Sequence, residues 1–117
     1  MIDIKSMTRE FSEVEIYLMT IAQSIESMKD VEDGTKITVD GVLYFDDVKE
    51  NSGDAVEVMS IITPDKQVYS CQSQTFKRSI NDISKIMNGK QFTVIKTSGK
   101  TKAGRDFINC VLDIESI

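Results

Sequence analysis

From Gln91 to Ile114 the chain alternates between apolar and polar positions, and this predicts two strands joined by a basic loop. In the second strand Ile108, Cys110, Leu112 and Ile114 form a wholly apolar set, expected to face a core. Phe107, Asn109, Val111 and Asp113 form the other set, expected to face solvent although it opens on a phenylalanine. Phe92, Val94 and Ile95 mark the first strand, with Gly99 and Gly104 as turn residues in the loop.

The same period appears upstream. Thr35 to Phe45 is predicted as a strand with Ile37, Val39, Leu43 and Phe45 on the core face. Lys36, Thr38, Asp40, Val42 and Tyr44 fall on the opposite face, and Gly41 marks a bulge or bend. After a polar loop from Asp46 to Asp54, Ala55 to Thr63 and Gln67 to Ser73 are two more strands around a Pro64-Asp65-Lys66 turn. Tyr69 is ambiguous, because Val68 competes for the inward position. At Thr75 the period changes. Phe76, Ile80, Ile83 and Met87 make a helical stripe, with Thr75 as its N-cap and Asn88-Gly89 as its stop.

Ahead of these elements, Thr8 is a candidate N-cap for Phe11, Val14, Leu18, Ile21 and Ile25 at helical spacing. The stretch from Glu15 to Ile25 is apolar enough that part of it is open to an extended reading. Three strands, a helix and two strands give a mainly β fold: a five-stranded OB-fold Greek-key barrel with a capping α-helix between strands 3 and 4. The expected organisation is one OB-fold domain over 1–117, with an N-terminal helical appendage at 1–34 and the barrel at 35–114.

Charge sharpens the picture. The net charge is -5, yet residues 1–63 carry -9 and residues 64–117 carry +4. Lys96, Lys100, Lys102 and Arg105 crowd the predicted hairpin with no carboxylate between them. A cationic finger beside an outward aromatic suits nucleic acid. Lys77 and Arg78 open the predicted helix, where cations oppose the helix dipole. They are either solvated surface charges or a place for an external anion. Tyr44, Tyr69 and Phe107 are candidate stacking rings beside Lys36, Lys77, Lys96, Lys100, Lys102 and Arg105, the alternative for any one ring being plain surface packing.

Other chemistry is disfavoured. The chain has no histidine, which removes the commonest general base and metal ligand. Two cysteines, Cys71 and Cys110, are expected as small buried thiols. Ser98-Gly99-Lys100-Thr101 resembles the end of a phosphate-binding loop, but Val94 stands where that motif needs glycine. Asp46-Asp47 lacks the framing of a metal loop. No enzyme activity, metal or cofactor is expected. Without an apolar run long enough to span a bilayer or a recognisable signal peptide, a soluble intracellular protein is expected.

The run Val56 to Phe76, together with Lys100 to Cys110 (KTKAGRDFINC) and, more weakly, Met28 to Gly41, resembles the small single-stranded DNA-binding proteins of phages of Gram-positive bacteria. The resemblance covers most of the chain. It implies an OB fold and sequence-independent binding of single-stranded DNA in phage replication and recombination, in the cytoplasm of the bacterial host. It also implies Tyr44, Tyr69, Lys96, Lys100, Lys102, Arg105 and Phe107 as contacts. The chain has no tryptophan, so stacking would fall to Tyr and Phe. Phage or host replication and recombination proteins are candidate partners, but the end at Asp113-Ile114-Glu115-Ser116-Ile117 has no long acidic tail of the kind that recruits partner enzymes in bacterial single-stranded DNA-binding proteins. A homodimer is expected from the short footprint of one small barrel. The competing functional reading is an OB-like protein-interaction module without nucleic-acid binding, docking through the acidic N-terminal half.

Overall fold

The computed structural model describes residues 2–116. In chain order its elements are β1 (Ile2–Met7), α1 (Glu13–Thr20), β2 (Glu26–Ser27), β3 (Lys36–Val39), β4 (Gly41–Val48), β5 (Ala55–Ile62), β6 (Val68–Cys71), α2 (Gln74–Ile86), β7 (Phe92–Lys100) and β8 (Asp106–Leu112). The strands form two sheets, ordered β1-β4-β5-β6-β2 and β3-β7-β8. All neighbours are antiparallel except β2 and β6, which run parallel. The two sheets are joined by the continuous chain through β3 and β4. Among the described residues β6 and β8 do not pair, so the sheets do not close on each other.

The predicted single strand from Thr35 to Phe45 is therefore two strands, and the bend between them inverts the expected faces. Ile37 and Val39 of β3 join Val42 of β4 in the main core between the sheets, with Tyr44 packed against its edge. Leu43 and Phe45, expected beside Ile37 and Val39, lie in a second core with Met19, Val58, Ile62 and Val68. The cause is a parity change at Asp40-Gly41, since one step of the chain moves every following side chain to the other face. Gly41 is required by a close approach: a Cβ there would stand 2.6 Å from the Phe11 ring. The Arg9 guanidinium covers that ring, 4.3 Å from its centroid.

The second core explains the N-terminal segment, which differs from the helical appendage expected over 1–34. Ile2 to Met7 is a strand, paired with β4 from Asp47 to Leu43. Thr8 does not cap a helix. Its hydroxyl accepts the Val42 N–H at 2.9 Å. The cap is Ser12, whose hydroxyl accepts the Glu15 N–H while the Glu15 carboxylate accepts the Ser12 N–H, a reciprocal capping box. The short α1 buries Met19 on β5 and β6, and the buried Ser60 hydroxyl donates to the Met19 carbonyl.

Downstream the pattern holds with small shifts. Ser73, not Thr75, caps α2 by accepting the Phe76 N–H at 3.3 Å. Phe76 and Ile80 are buried, and Ile83 and Met87 are packed against the main core. Asn88 and Gly89 both take positive φ and end the helix. Strands β7 and β8 pair from Val94–Leu112 to Lys100–Asp106. Ile108, Cys110 and Leu112 face the main core as expected. The alternation stops there: Asp113 is buried beside Lys36 and Ile114 is exposed, because the strand ends at Leu112.

Candidate nucleic-acid interface

Much of the predicted basic loop is strand. Strand β7 runs to Lys100, and only 101–105 turn. Thr101 ties that turn: its N–H donates to the Arg105 carbonyl and its hydroxyl accepts the Arg105 N–H. Gly104 supplies the positive φ of 85° that the reversal needs. The cations do not share one environment. Lys100, Lys102 and Arg105 are exposed, with Lys100 bridged to Asp106 at 3.1 Å. Lys96 lies at the root of the hairpin and is only 4% exposed. Its ammonium donates to the Val31 carbonyl at 2.6 Å and pairs with Asp33 at 3.2 Å. Expected as a phosphate contact, it instead pins the 31–33 loop to β7, since a buried ammonium needs fixed partners.

The two cations that open α2 part in the same way. Lys77 is buried at 4% exposure, and its ammonium reaches the Glu57 carboxylate at 3.0 Å and the Glu57 carbonyl at 3.3 Å. Arg78 is exposed and has no ion-pair partner among the described residues. Arg78 lines a cleft of about 380 Å³ with Tyr44, Lys5, Gln74 and Asn81. Tyr44 is thus at the wall of a cleft that holds Arg78, the Lys77–Glu57 pair and Lys5 with its partners Asp3 and Asp46, although its ring leans on the main core rather than standing on an outer face. Burial, aided by the Glu57 charge, pushes its hydroxyl up to about 12, so it stays a hydrogen-bond donor at any working pH.

Phe107 lines a larger cleft, about 510 Å³, in the gap where β6 and β8 fail to pair. Lys29, Gln72 and Ser73 share this cleft with Asp106 and Ile108. Phe107 sits directly opposite Gly99 across the ladder, and its ring covers that glycine: a Cβ at Gly99 would stand 2.8 Å from it. Half-buried on the hairpin, the ring presents one side to the cleft.

Tyr69 and Lys36 line a third cleft with Thr63, Asp65 and Gln91, and it shares no residue with the other two. Tyr69 is buried in the main core while Val68 occupies the second core, so both compete successfully because β6 is covered on both faces. Lys36 pairs with Asp113 at 3.1 Å.

The residues predicted for one surface are therefore distributed. Tyr44, Lys77 and Arg78 meet in one cleft. Phe107 lines a second, whose cation is Lys29 and which none of the hairpin cations lines, and Tyr69 and Lys36 line a third. Lys5 and Lys29 join the first two without having been singled out in the sequence. Each is one charge in a short or polar stretch, and only the fold reveals its neighbours. Cys71 and Cys110 are free and buried, and burial raises both thiols, Cys110 to about 12.

Aromatic rings set beside exposed cations on a mainly β frame are the make-up of a protein that holds single-stranded nucleic acid. The family model described as phage single-stranded DNA-binding protein matches residues 3–113. The chain belongs to that family, whose membership supports single-stranded DNA binding. No curated protein and no solved structure matches the chain. No helix among the described residues is long and apolar enough to cross a membrane.

Proposed function

We propose that the chain binds single-stranded DNA without sequence preference, along a track from the basic hairpin past Phe107 and over the first turn of α2 to Tyr44. One observation carries this reading. The Phe107 cleft and the Tyr44 cleft are lined by neighbouring residues at the start of α2, Ser73 and Gln74, which places both within reach of one strand crossing that turn. Two rings then stack bases, a contact that every base can make. Lys102, Arg105, Lys29 and Arg78 follow the phosphates, and Lys100 and Lys5 join them once Asp106, and Asp3 with Asp46, yield. The frame is read as an OB-type barrel. Its first strand is β3 with β4, followed by β5, β6, the capping helix α2, and then β7 and β8. The protein acts by binding alone. It serves phage DNA replication and recombination in the host cytoplasm, working as a homodimer that links two short footprints.

Fluorescence anisotropy with oligonucleotides of several compositions, single-stranded and duplex, tests this directly. Micromolar or tighter binding to every single strand is expected, with weak duplex binding and steep loss in salt. Absence of binding at low salt, or equal affinity for duplex, refutes it. A sedimentation mass of one chain at working concentration refutes the dimer.

A further inference from the structure

A short helix on a protein surface normally shows one apolar side and one polar side. Helix α1 does not. Its inner side buries Met19 and packs Ile16 and Leu18 into the second core. Its outer side carries Val14 and Tyr17, and Ile21 follows as the C-cap residue; the three remain 67%, 53% and 62% exposed. Positions 14, 17 and 21 form one stripe at helical spacing. Strand β1, at the edge of the same sheet, carries further exposed apolar side chains. Ile4 and Met7 pair across to Phe45 and Leu43, so they point to the sheet face on which α1 lies, and both stay exposed. Clustered exposed apolar side chains of this kind mark an interaction surface. This face lies on the other side of the five-stranded sheet from Tyr44 and its cleft, because alternate β4 residues point to opposite faces.

Charge decides the occupant. Glu10 and Glu13 flank the stripe and Asp47 stands at the β1–β4 end of the same face, all three exposed. The nearby cations are already engaged, since Arg9 and Lys66 both pair with Glu15. A DNA strand is repelled by this rim. A second copy of the chain docked symmetrically would set Glu10 and Glu13 against their own equivalents. A basic partner meets neither obstacle.

We propose that the outer face of α1, on the sheet face that Ile4 and Met7 share, docks a partner protein through a segment carrying apolar anchors flanked by Lys or Arg, while DNA occupies the opposite side of the sheet.

The test is calorimetric titration of the full chain with two designed helical peptides that share one apolar stripe, one flanked by lysines and the other by glutamates. Each titration is run with and without saturating oligothymidylate. The lysine peptide is expected to bind roughly tenfold or more tightly than the glutamate peptide, with oligothymidylate leaving its affinity unchanged. Val14→Gln/Ile21→Gln is expected to abolish peptide binding while the melting curve and oligothymidylate binding are retained. Glu10→Lys/Glu13→Lys is expected to reverse the preference between the peptides. Equal affinity for both peptides, binding of neither, or peptide binding that survives Val14→Gln/Ile21→Gln overturns the proposal. So does competition with oligothymidylate, or a dimer mass in sedimentation that Val14→Gln/Ile21→Gln reduces to one chain, which would make the occupant a second copy.

Discussion

Lys96→Met distinguishes a cation that holds the fold from one that holds DNA. Methionine keeps most of the buried stem and removes the ammonium. Three consequences can be sized from the contacts. The Val31 carbonyl loses its 2.6 Å donor, at a cost of roughly 1–3 kcal/mol for a partly buried acceptor left unmet. Asp33 loses its partner but is 54% exposed and keeps the Ser98 hydroxyl, so it adds only about 0–1 kcal/mol. The roughly 3–5 kcal/mol typical of a charge stranded in the interior does not apply, because water reaches Asp33. The expected total is about 1–4 kcal/mol. For a domain of this size that lowers the melting temperature by about 4–16 °C. The Ser98 hydroxyl and then Lys96 hold the Asp33 carboxyl below its usual range. A depressed carboxylate gives stability that is present above the unfolded value, near pH 4, and lost as pH falls. Part of that acid sensitivity should go with Lys96. Binding provides the contrast. A lysine on a phosphate contributes about 0.7 to the salt slope on a single strand, or about 2.6-fold in affinity over a fourfold change in salt. Lys96→Met should leave that slope unchanged. A slope reduced by about 0.7 with an unaltered melting temperature would show that Lys96 faces DNA and would refute the placement.

Lys102→Ala and Arg105→Ala should do the reverse, each lowering the salt slope by about 0.7 in anisotropy titrations and shifting stability by less than about 0.5 kcal/mol. Tyr44→Ala should weaken single-strand binding by roughly 1–3 kcal/mol at every salt concentration, with the slope unchanged; an unchanged affinity removes Tyr44 from the track. Glu15 is held far below the ordinary carboxylate range, first by Arg9, then by the Ser12 N–H and Lys66. Its contribution is present above pH ~4.5 and lost as acid protonates it, so Glu15→Gln should cost about 1 kcal/mol at neutral pH and nothing in strong acid; parallel melting-versus-pH curves would contradict this. Gly41→Ala should destabilise by about 1–3 kcal/mol through the Phe11 ring, and Phe11→Leu should recover part of the loss in urea melts.

The succession of strands, the helix stripe and the closing hairpin were legible because each follows one period over several residues. The N-terminal strand was not. Ile2 and Ile4 alternate with Asp3 and Lys5, but six residues at a chain end offer too few repeats to outweigh the helical spacing that follows. The inverted faces of β4 were hidden for a different reason. Alternation assumes one buried face, and β4 and β5 are covered on both. The uninterrupted apolar runs Val42-Leu43-Tyr44-Phe45 and Val58-Met59 are the signal that two cores exist. At the interface the residue types were legible and their exposure was not. Lys96 and Lys102 look alike in sequence. Only the third dimension shows that one is enclosed by Val31 and Asp33 and the other stands free at a turn.

The segment bent at Gly41, with β3 in one sheet and β4 in the other, has a consequence for biosynthesis. Its β4 half finds β5 almost at once, across a short loop. Its β3 half must wait for β7, because Lys36 pairs with Ile95 roughly sixty residues later in the chain. At about 5–20 residues per second on the ribosome, that leaves Ile37 and Val39 without their sheet for about 3–12 seconds. During that interval the nascent chain carries an open apolar edge able to recruit a neighbour's. The edge is brief and bracketed by Lys36 and Asp40, charges placed where gatekeepers against premature pairing belong.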